Sequence, residues 1–320
     1  MRTTKGIAAL ALVAAIAAAC SSAGTATTGP TTAPTTAASI APTAAPTAAP
    51  TATPDACAVS SLKTVTAGKL TIGTDNPAYP PYYSPRAAGN TTPWDKDGGD
   101  PTTGEGFESA VAYAVASQLG FSKDNVVWVV APFTTVIAPG PKPFDFDINQ
   151  VTYTAARAQD NDLTDGYYTF SQTVVVLKTG PFAKVTAVSG LKAARLGAQV
   201  GTTSLDAINK VIKPTSAASI YDSNDAAIQA LEGKQIDGVV VDLPTSWYVT
   251  GVQAPDTIAI GQLGTAAGGA PEHFSLLLDK GSALTPCLNR ALAAIGPAAM
   301  AALEDKWLPV KTNPVPELQP

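Results

Sequence analysis

Residues Phe144 to Arg157 read FDFDINQVTYTAAR. Phe144, Phe146 and Ile148 alternate with polar residues, the period of a strand with one buried face. The stretch then turns polar and small through Asn149, Gln150, Thr152 and Thr154, and meets Arg157, one of only five arginines in the chain, where a helix is expected to start. Backbone N–H groups at a helix start lack intrahelical partners. A strand that ends in hydroxyls, unpaired N–H groups and a guanidinium suits an anion, although an arginine at a helix start is also commonly a solvated or salt-bridged surface residue.

Strands and helices alternate on both sides of this stretch. Lys69 to Asp75, Val126 to Ala131 and Thr173 to Leu177 read as strands, and Gly106 to Leu119 reads as an alanine-rich helix. The pattern then restarts: Arg195 to Val200 as strand, Ser204 to Ile212 and Asn224 to Glu232 as helices, Ile236 to Val241 as strand. Phe274 to Leu278 is expected as a further strand before a helical tail from Leu284 to Trp307. Such alternation predicts parallel α/β layers. Two units joined near residue 173, with a return after about residue 271, predict two lobes around a hinge. Open α/β sheets bind ligands beyond the carboxyl ends of their strands. Asp75, Gln150, Thr152, Thr202, Thr203 and Asp242 all occupy such ends, so facing lobes would bring them to one cleft. Each has a plainer explanation: Asp242, Thr202 and Thr203 as helix caps, and Tyr79, Tyr82 and Tyr83 in PAYPPYY as surface aromatics.

The N-terminal end addresses the location. Residues 1–20 have a short basic start, an apolar run too short to span a bilayer, and three alanines before Cys20, the pattern of a secretory signal with a lipidated cysteine, an ordinary cleaved signal with a chance cysteine being the alternative. Residues 21–56 are almost wholly Ala, Thr, Pro and Ser, a composition that cannot offset the entropy of ordering and is expected to form an extended tether. The folded part, about 260 residues, is long enough for two lobes. Net charge is −5 with no basic stripe, which argues against nucleic acid. One histidine and three cysteines without a CxxC or HExxH pattern argue against a zinc site, and no cofactor is expected. With Cys20 lipidated, Cys57 and Cys287 remain as a pair in an oxidising compartment. A disulfide is the economical reading, two separate buried thiols the alternative.

Together, GKLTIGTDNPAYPPYY (68–83), GEGFESAVAYAVASQLGF (104–121), FDFDINQVTYTAAR (144–157), VGTTS (200–204) and IQALEGKQIDGVVVDLPTSWY (228–248) resemble the family 3 solute-binding proteins of polar amino-acid ABC importers. The likeness extends over residues 58–310. It implies a type II periplasmic-binding-protein fold, with lobe 1 in residues 57–173, lobe 2 in 174–271 and a return to lobe 1 in 272–320. It further implies a ligand cleft between the lobes at a two-strand hinge, a monomer, ABC permease subunits as partners, and a lipid anchor as the only tie to the membrane. By the same likeness Arg157, Thr202 and Thr203 hold the solute's α-carboxylate, Thr152 supplies a further ligand hydroxyl, and Asp242 holds the α-amino group. The main chain at Gln150 assists, Tyr79 and Tyr82 cover the stem, and Asp75 meets the side chain. Asn149-Gln150 and Ala155-Ala156 depart from the family's usual residues, and the loop 86–103 is longer than usual. Two other functions stay open: a dehydratase-like enzyme on the same fold, and a sensor that binds a partner protein. The single histidine, His273, is expected as a hinge residue and not as a catalyst.

Overall fold

The computed structural model describes residues 55–84, 93–94 and 98–320. The expected signal peptide with Cys20, nearly all of the tether and much of the 86–103 loop lie outside the described residues. In chain order the strands are β1 (Leu70–Thr74), β2 (Val126–Val130), β3 (Phe146–Asp147), β4 (Asn161–Leu163), β5 (Tyr168–Phe170), β6 (Gln172–Leu177), β7 (Leu196–Gln199), β8 (Ser219–Tyr221), β9 (Gly238–Asp242), β10 (Thr257–Gln262), β11 (Glu272–Phe274) and β12 (Leu277–Asp279). The helices are α1 (Phe107–Gln118), α2 (Phe133–Val136), α3 (Arg157–Asp160), α4 (Thr203–Ala207), α5 (Asn224–Glu232), α6 (Leu243–Tyr248) and α7 (Thr285–Trp307). No helix among the described residues is long and apolar enough to cross a membrane.

Two five-stranded sheets result, one in each lobe of the type II binding fold. The first has the order β2-β1-β3-β12-β4 and the second β10-β6-β9-β7-β8. Both are mixed instead of wholly parallel. In the first, β1 runs parallel to β2 and β3 while β12 opposes β3 and β4; in the second, β6 opposes β9 and β10. The antiparallel members β6 and β12 directly follow the crossings between lobes, where the chain enters a sheet from the hinge and not through a crossover helix. The crossings themselves, β5 and β11, pair as a two-stranded antiparallel ribbon with Phe170 opposite Glu272 and Tyr168 opposite Phe274. Phe170 and Phe274 stack at 4.1 Å between ring centroids.

The second sheet is covered on both faces, which explains its unbroken valine runs. Val174 and Val176 pack with Leu196, Ile208 and Ile212 on one side, while Val175 packs with Ile228, Leu231, Val239 and Val241 on the other. In the first lobe, Leu70, Ile72, Phe107, Val111 and Leu288 are wholly buried in one cluster. Burying side chains of this size contributes roughly 1.5–3 kcal/mol each. Cys57 and Cys287 form the expected disulfide, with Cα atoms 5.4 Å apart, and Arg290 pairs with Asp55 beside it. The expected helical tail is interrupted at Gly296, at φ 74°, followed by Pro297, whose ring blocks a continuous helix. Beyond α7 the chain crosses to the second lobe once more: Leu318 is buried in the second core, and Glu317 and Gln319 bridge to Gln262 and Ala187. The segment 272–320 is thus shared between the lobes, because Leu318 finds its apolar partners beside Gly261.

One glycine connects this packing to the cleft. Gly106 precedes α1 at φ 92°, and a Cβ there would lie 2.5 Å from the Tyr82 carbonyl oxygen and 2.5 Å from Tyr83 Cα. The close approach lets the first N–H groups of α1, from Phe107 and Glu108, donate to the Pro81 and Tyr82 carbonyls at 2.9 and 3.0 Å. A helix start is satisfied and the PAYPPYY loop is pinned by the same bonds.

Candidate functional site

The strand ends converge as the chain pattern requires. Asp75 follows β1, Asn149 to Thr152 follow β3, Thr202 and Thr203 begin α4 just beyond β7, and Asp242 ends β9. Asp75, Asn149, Gln150, Thr152, Thr202, Thr203 and Asp242 line one cavity of about 200 Å³ between the two sheets, together with Tyr79, Tyr82 and Arg157. Every candidate ligand residue read from the sequence is therefore in contact with the same space. His273 is not among the lining residues. It stacks on Tyr153 in the hinge ribbon, 5.4 Å between centroids.

Arg157 sits at the hinge side of the cavity. Its two terminal nitrogens donate to carbonyl oxygens of opposite lobes, Thr152 at 2.6 Å and Gly201 at 2.7 Å, and its guanidinium lies 5.5 Å from the Phe133 ring centre. Burial pushes its pKa down to about 10, against the attraction of Glu272 and Asp206, so it remains a cation at neutral pH. The Thr152 and Thr203 hydroxyls meet across the cleft at 3.2 Å. Thr203 also accepts a bond from Gln172 Nε2 at 2.9 Å, while Gln172 Oε1 accepts from Ser204 at 2.7 Å and its Nε2 reaches Glu272 at 3.2 Å. Thr202 spends its side chain locally, donating to the Gln199 carbonyl and accepting from Leu205 N–H as the cap of α4. Only its backbone is left for a solute.

Asp242 joins both of its sequence readings. It caps α6, accepting from Thr245 N–H and the Thr245 hydroxyl at 2.8 Å each, and it accepts the Tyr82 hydroxyl from the other lobe. Burial raises its pKa, and those bonds oppose the rise. Tyr82 is positioned from below by its edge-on contact with Phe274 at 6.2 Å, which places the hinge ribbon directly under the tyrosine.

The far end of the cavity is acidic. Asp75 accepts from Asn76 N–H at 2.8 Å and from Phe133 N–H at 3.4 Å. Opposite, Asp225 near the start of α5 accepts from the Tyr79 hydroxyl at 3.0 Å and from Gln253 at 2.7 Å. Tyr79 stacks on Tyr248, with centroids 5.0 Å apart. Burial raises the pKa of Asp75, and the charge of Asp225 adds to the rise. Sequence reading missed Asp225, because an acidic residue in the first turn of a capped helix is already explained by the helix dipole.

Beneath the floor lies a buried carboxyl pair. Glu108 of α1 accepts from Gln150 N–H at 2.8 Å and from the Gln150 amide and the Tyr167 hydroxyl. Gln150, in the left-handed region at φ 50°, thus turns its amide down to Glu108 while still lining the cavity. Burial pushes Glu108 up to about 7. Asp147, fully buried, has neither carboxyl oxygen hydrogen-bonded, and burial raises it well above the ordinary carboxylate range. In the long loop, Trp94 is buried, and Asp100 caps a short turn by accepting from Thr102 N–H at 2.9 Å.

Two α/β lobes on a two-strand ribbon, with convergent polar strand ends between them, define a cleft-type binding protein. Residues 70–310 match the bacterial extracellular solute-binding proteins, family 3, and the chain belongs to that family. None of the curated proteins matches the chain. Among solved structures it is similar to an ancestral arginine-binding protein bound to arginine, at 24% identity and a TM-score of 0.59, covering 75% of this chain and 98% of that one. It is also similar to the arginine-, lysine-, histidine-binding protein ArtJ from Geobacillus stearothermophilus, at 21% identity and 0.57, covering 75% and 94%. A third is the ancestral amino acid-binding protein AncCDT-1, a precursor of cyclohexadienyl dehydratase, at 23% and 0.59, covering 75% and 96%. At these identities the likeness establishes the fold.

Proposed function

We propose that the protein binds a zwitterionic polar amino acid outside the cytoplasmic membrane and delivers it, as a monomer, to ABC permease subunits while lipid on Cys20 holds it at the membrane. One observation carries this reading: Arg157 and Asp242, half-buried opposite charges from opposite lobes, line a single small cavity, and neither has an ion-pair partner among the described residues. An uncompensated buried charge is costly. A solute bearing a carboxylate and an ammonium compensates both at once.

In this reading Arg157 grips the α-carboxylate with the guanidinium N–H groups not given to Thr152 and Gly201, and backbone N–H groups at Thr202 and Thr203 close on it from the second lobe. Asp242 takes the α-ammonium, aided by the Thr152 hydroxyl. At Gln150 the N–H is held by Glu108, which leaves its carbonyl for the ammonium. Tyr79 and Tyr82 cover the stem, and Asp75 faces the side chain. Several structural relatives bind amino acids, which supports the class of solute. Binding without turnover is supported by membership of a solute-binding family and by structural relatives that are binding proteins.

A thermal-shift panel of amino acids identifies binders, since saturation at about 100 times Kd adds roughly 2.7 kcal/mol to stability. Calorimetry then reads Arg157→Ala: loss of one partner of a desolvated charge pair costs about 3–5 kcal/mol, an affinity drop on the order of a hundredfold to several thousandfold. Near-wild-type affinity in the folded variant refutes the carboxylate clamp, and release of a chemically altered solute refutes binding without turnover.

A further inference from the structure

We propose that the solute carries a positively charged side chain, a guanidinium or ammonium, and that Asp225 of the second lobe selects it together with Asp75 of the first. The inference rests on the amino-acid reading of the cleft and adds the chemistry of the side chain.

The charges lining the cavity do not balance. Among the described residues they comprise one cation, Arg157, and three carboxylates, Asp75, Asp225 and Asp242. The α-carboxylate and α-ammonium of the solute engage Arg157 and Asp242. Asp75 and Asp225 are left, and no ion pair among the described residues involves either. They belong to different lobes, near the ends of β1 and at the start of α5, so closure brings two like charges toward each other. That encounter is unfavourable without a cation between them, and the charge of Asp225 already opposes ionisation of Asp75.

The positions are also divided along the cavity. Arg157 is bonded to the Thr152 and Gly201 carbonyls, whereas Asp225 is bonded to Tyr79 and Gln253, and Asp75 to the backbone N–H groups of Asn76 and Phe133. The two ends therefore present opposite demands, an anion at Arg157 and a cation at the Asp75–Asp225 end. The surroundings of the acidic end suit a cation on a long stem. Asp225 is oriented by two donors, the Tyr79 hydroxyl and the Gln253 amide. The stacked rings of Tyr79 and Tyr248 offer aromatic surface to the same end of the cavity, and such surface attracts cations. A neutral side chain leaves the two carboxylates uncompensated, and an acidic one adds a third negative charge.

Calorimetry of the full chain with L-arginine, L-lysine, L-citrulline, L-glutamine and L-glutamate tests this. Citrulline matches arginine in shape without the charge. Arginine or lysine is expected to bind about ten- to a hundredfold more tightly than citrulline, the range for hydrogen bonds to a charged group. In Asp225→Asn that preference is expected to fall by about tenfold or more, with citrulline affinity unchanged or improved. Citrulline, glutamine or glutamate binding as tightly as arginine overturns the proposal and leaves the amino-acid cleft standing. An undiminished preference in Asp225→Asn, folded by circular dichroism, removes Asp225 as the selector. Binding of none of the five overturns this proposal, and the absence of a hit among all amino acids in the thermal-shift panel overturns the amino-acid reading beneath it.

Discussion

Glu108 makes the stability of the fold depend on pH. The carboxyl is fully buried beneath the cleft, and its pKa rises from an ordinary 4.5 to about 7, chiefly through desolvation. A tenfold change in proton affinity is worth about 1.4 kcal/mol, so the rise corresponds to about 3 kcal/mol. The folded state holds this proton more tightly than the unfolded chain. Its contribution is therefore complete below about pH 4.5 and is lost as pH rises through about 7. The variant Glu108→Gln isolates the effect. A neutral amide can still accept from Gln150 N–H and Tyr167, and a rotated Gln150 amide can pair with it, so the packing is retained without a titrating group. Urea unfolding at pH 5 and pH 8, followed by tryptophan fluorescence, gives the stability of each protein at each pH. The stability lost by the wild type between the two should exceed that lost by Glu108→Gln by about 2.5 kcal/mol, since a little of the loss falls below pH 5. Equal losses would show that Glu108 is ionised in the folded state at both pH values, and the desolvation argument would be wrong.

Other perturbations have definite outcomes. Asp147→Leu removes a buried carboxyl with no hydrogen bond to either oxygen and should raise stability at pH 8 by about 1–3 kcal/mol, read by urea unfolding; a loss of stability would mean that Asp147 has a partner in solution. Gly106→Ala forces a Cβ against the Tyr82 and Tyr83 backbone at positive φ and should cost about 2 kcal/mol or more, with solute affinity falling in parallel because the tyrosine loop shifts; unchanged melting counts against the close approach. Breaking the Cys57–Cys287 link, which spans 230 residues, with serine at both positions should cost on the order of 5 kcal/mol in the chain-entropy model, measured against the oxidised wild type. Tyr82→Phe deletes the hydroxyl bond from the first lobe to Asp242 and should weaken solute binding by about tenfold; calorimetry showing no change would separate Tyr82 from the closed cleft.

The fold was legible where periodicity is strong. The valine runs of β6 and β9, the alanine-rich α1 and the capped α5 all lie where the sequence pattern puts them, within a residue or two at their ends. The short strands β4, β5, β8 and β10 were not read. They are three to six residues long, and β5 with β11 holds together through a pairing between segments about a hundred residues apart, which no local window contains. Phe274 to Leu278, expected as one strand, divides into β11 and β12 because the first half belongs to the hinge ribbon and the second to the first sheet. Within the site, strand-end position and family likeness together found nine of the residues that line the cavity. Asp225, Gln172, Glu272 and Glu108 escaped because each is distinguished only by what it faces across the lobes or beneath the floor. Gln172 opens an apolar strand, and Glu108 looks like an ordinary first-turn acid in α1 until its burial is known.

The junction of Cys57 with Cys287 also decides how the molecule transmits force. The described chain begins at Asp55, whose carboxylate is held by Arg290, and two residues later is welded to the first turn of α7. Tension arriving through the preceding residues enters α7 and the core of the first lobe, and bypasses the ribbon of β5 and β11. The first lobe thereby receives the entering chain, while the second is joined to it by the ribbon, by the strap that ends at Leu318, and by the Tyr82–Asp242, Tyr79–Asp225 and Arg157–Gly201 bonds across the cleft.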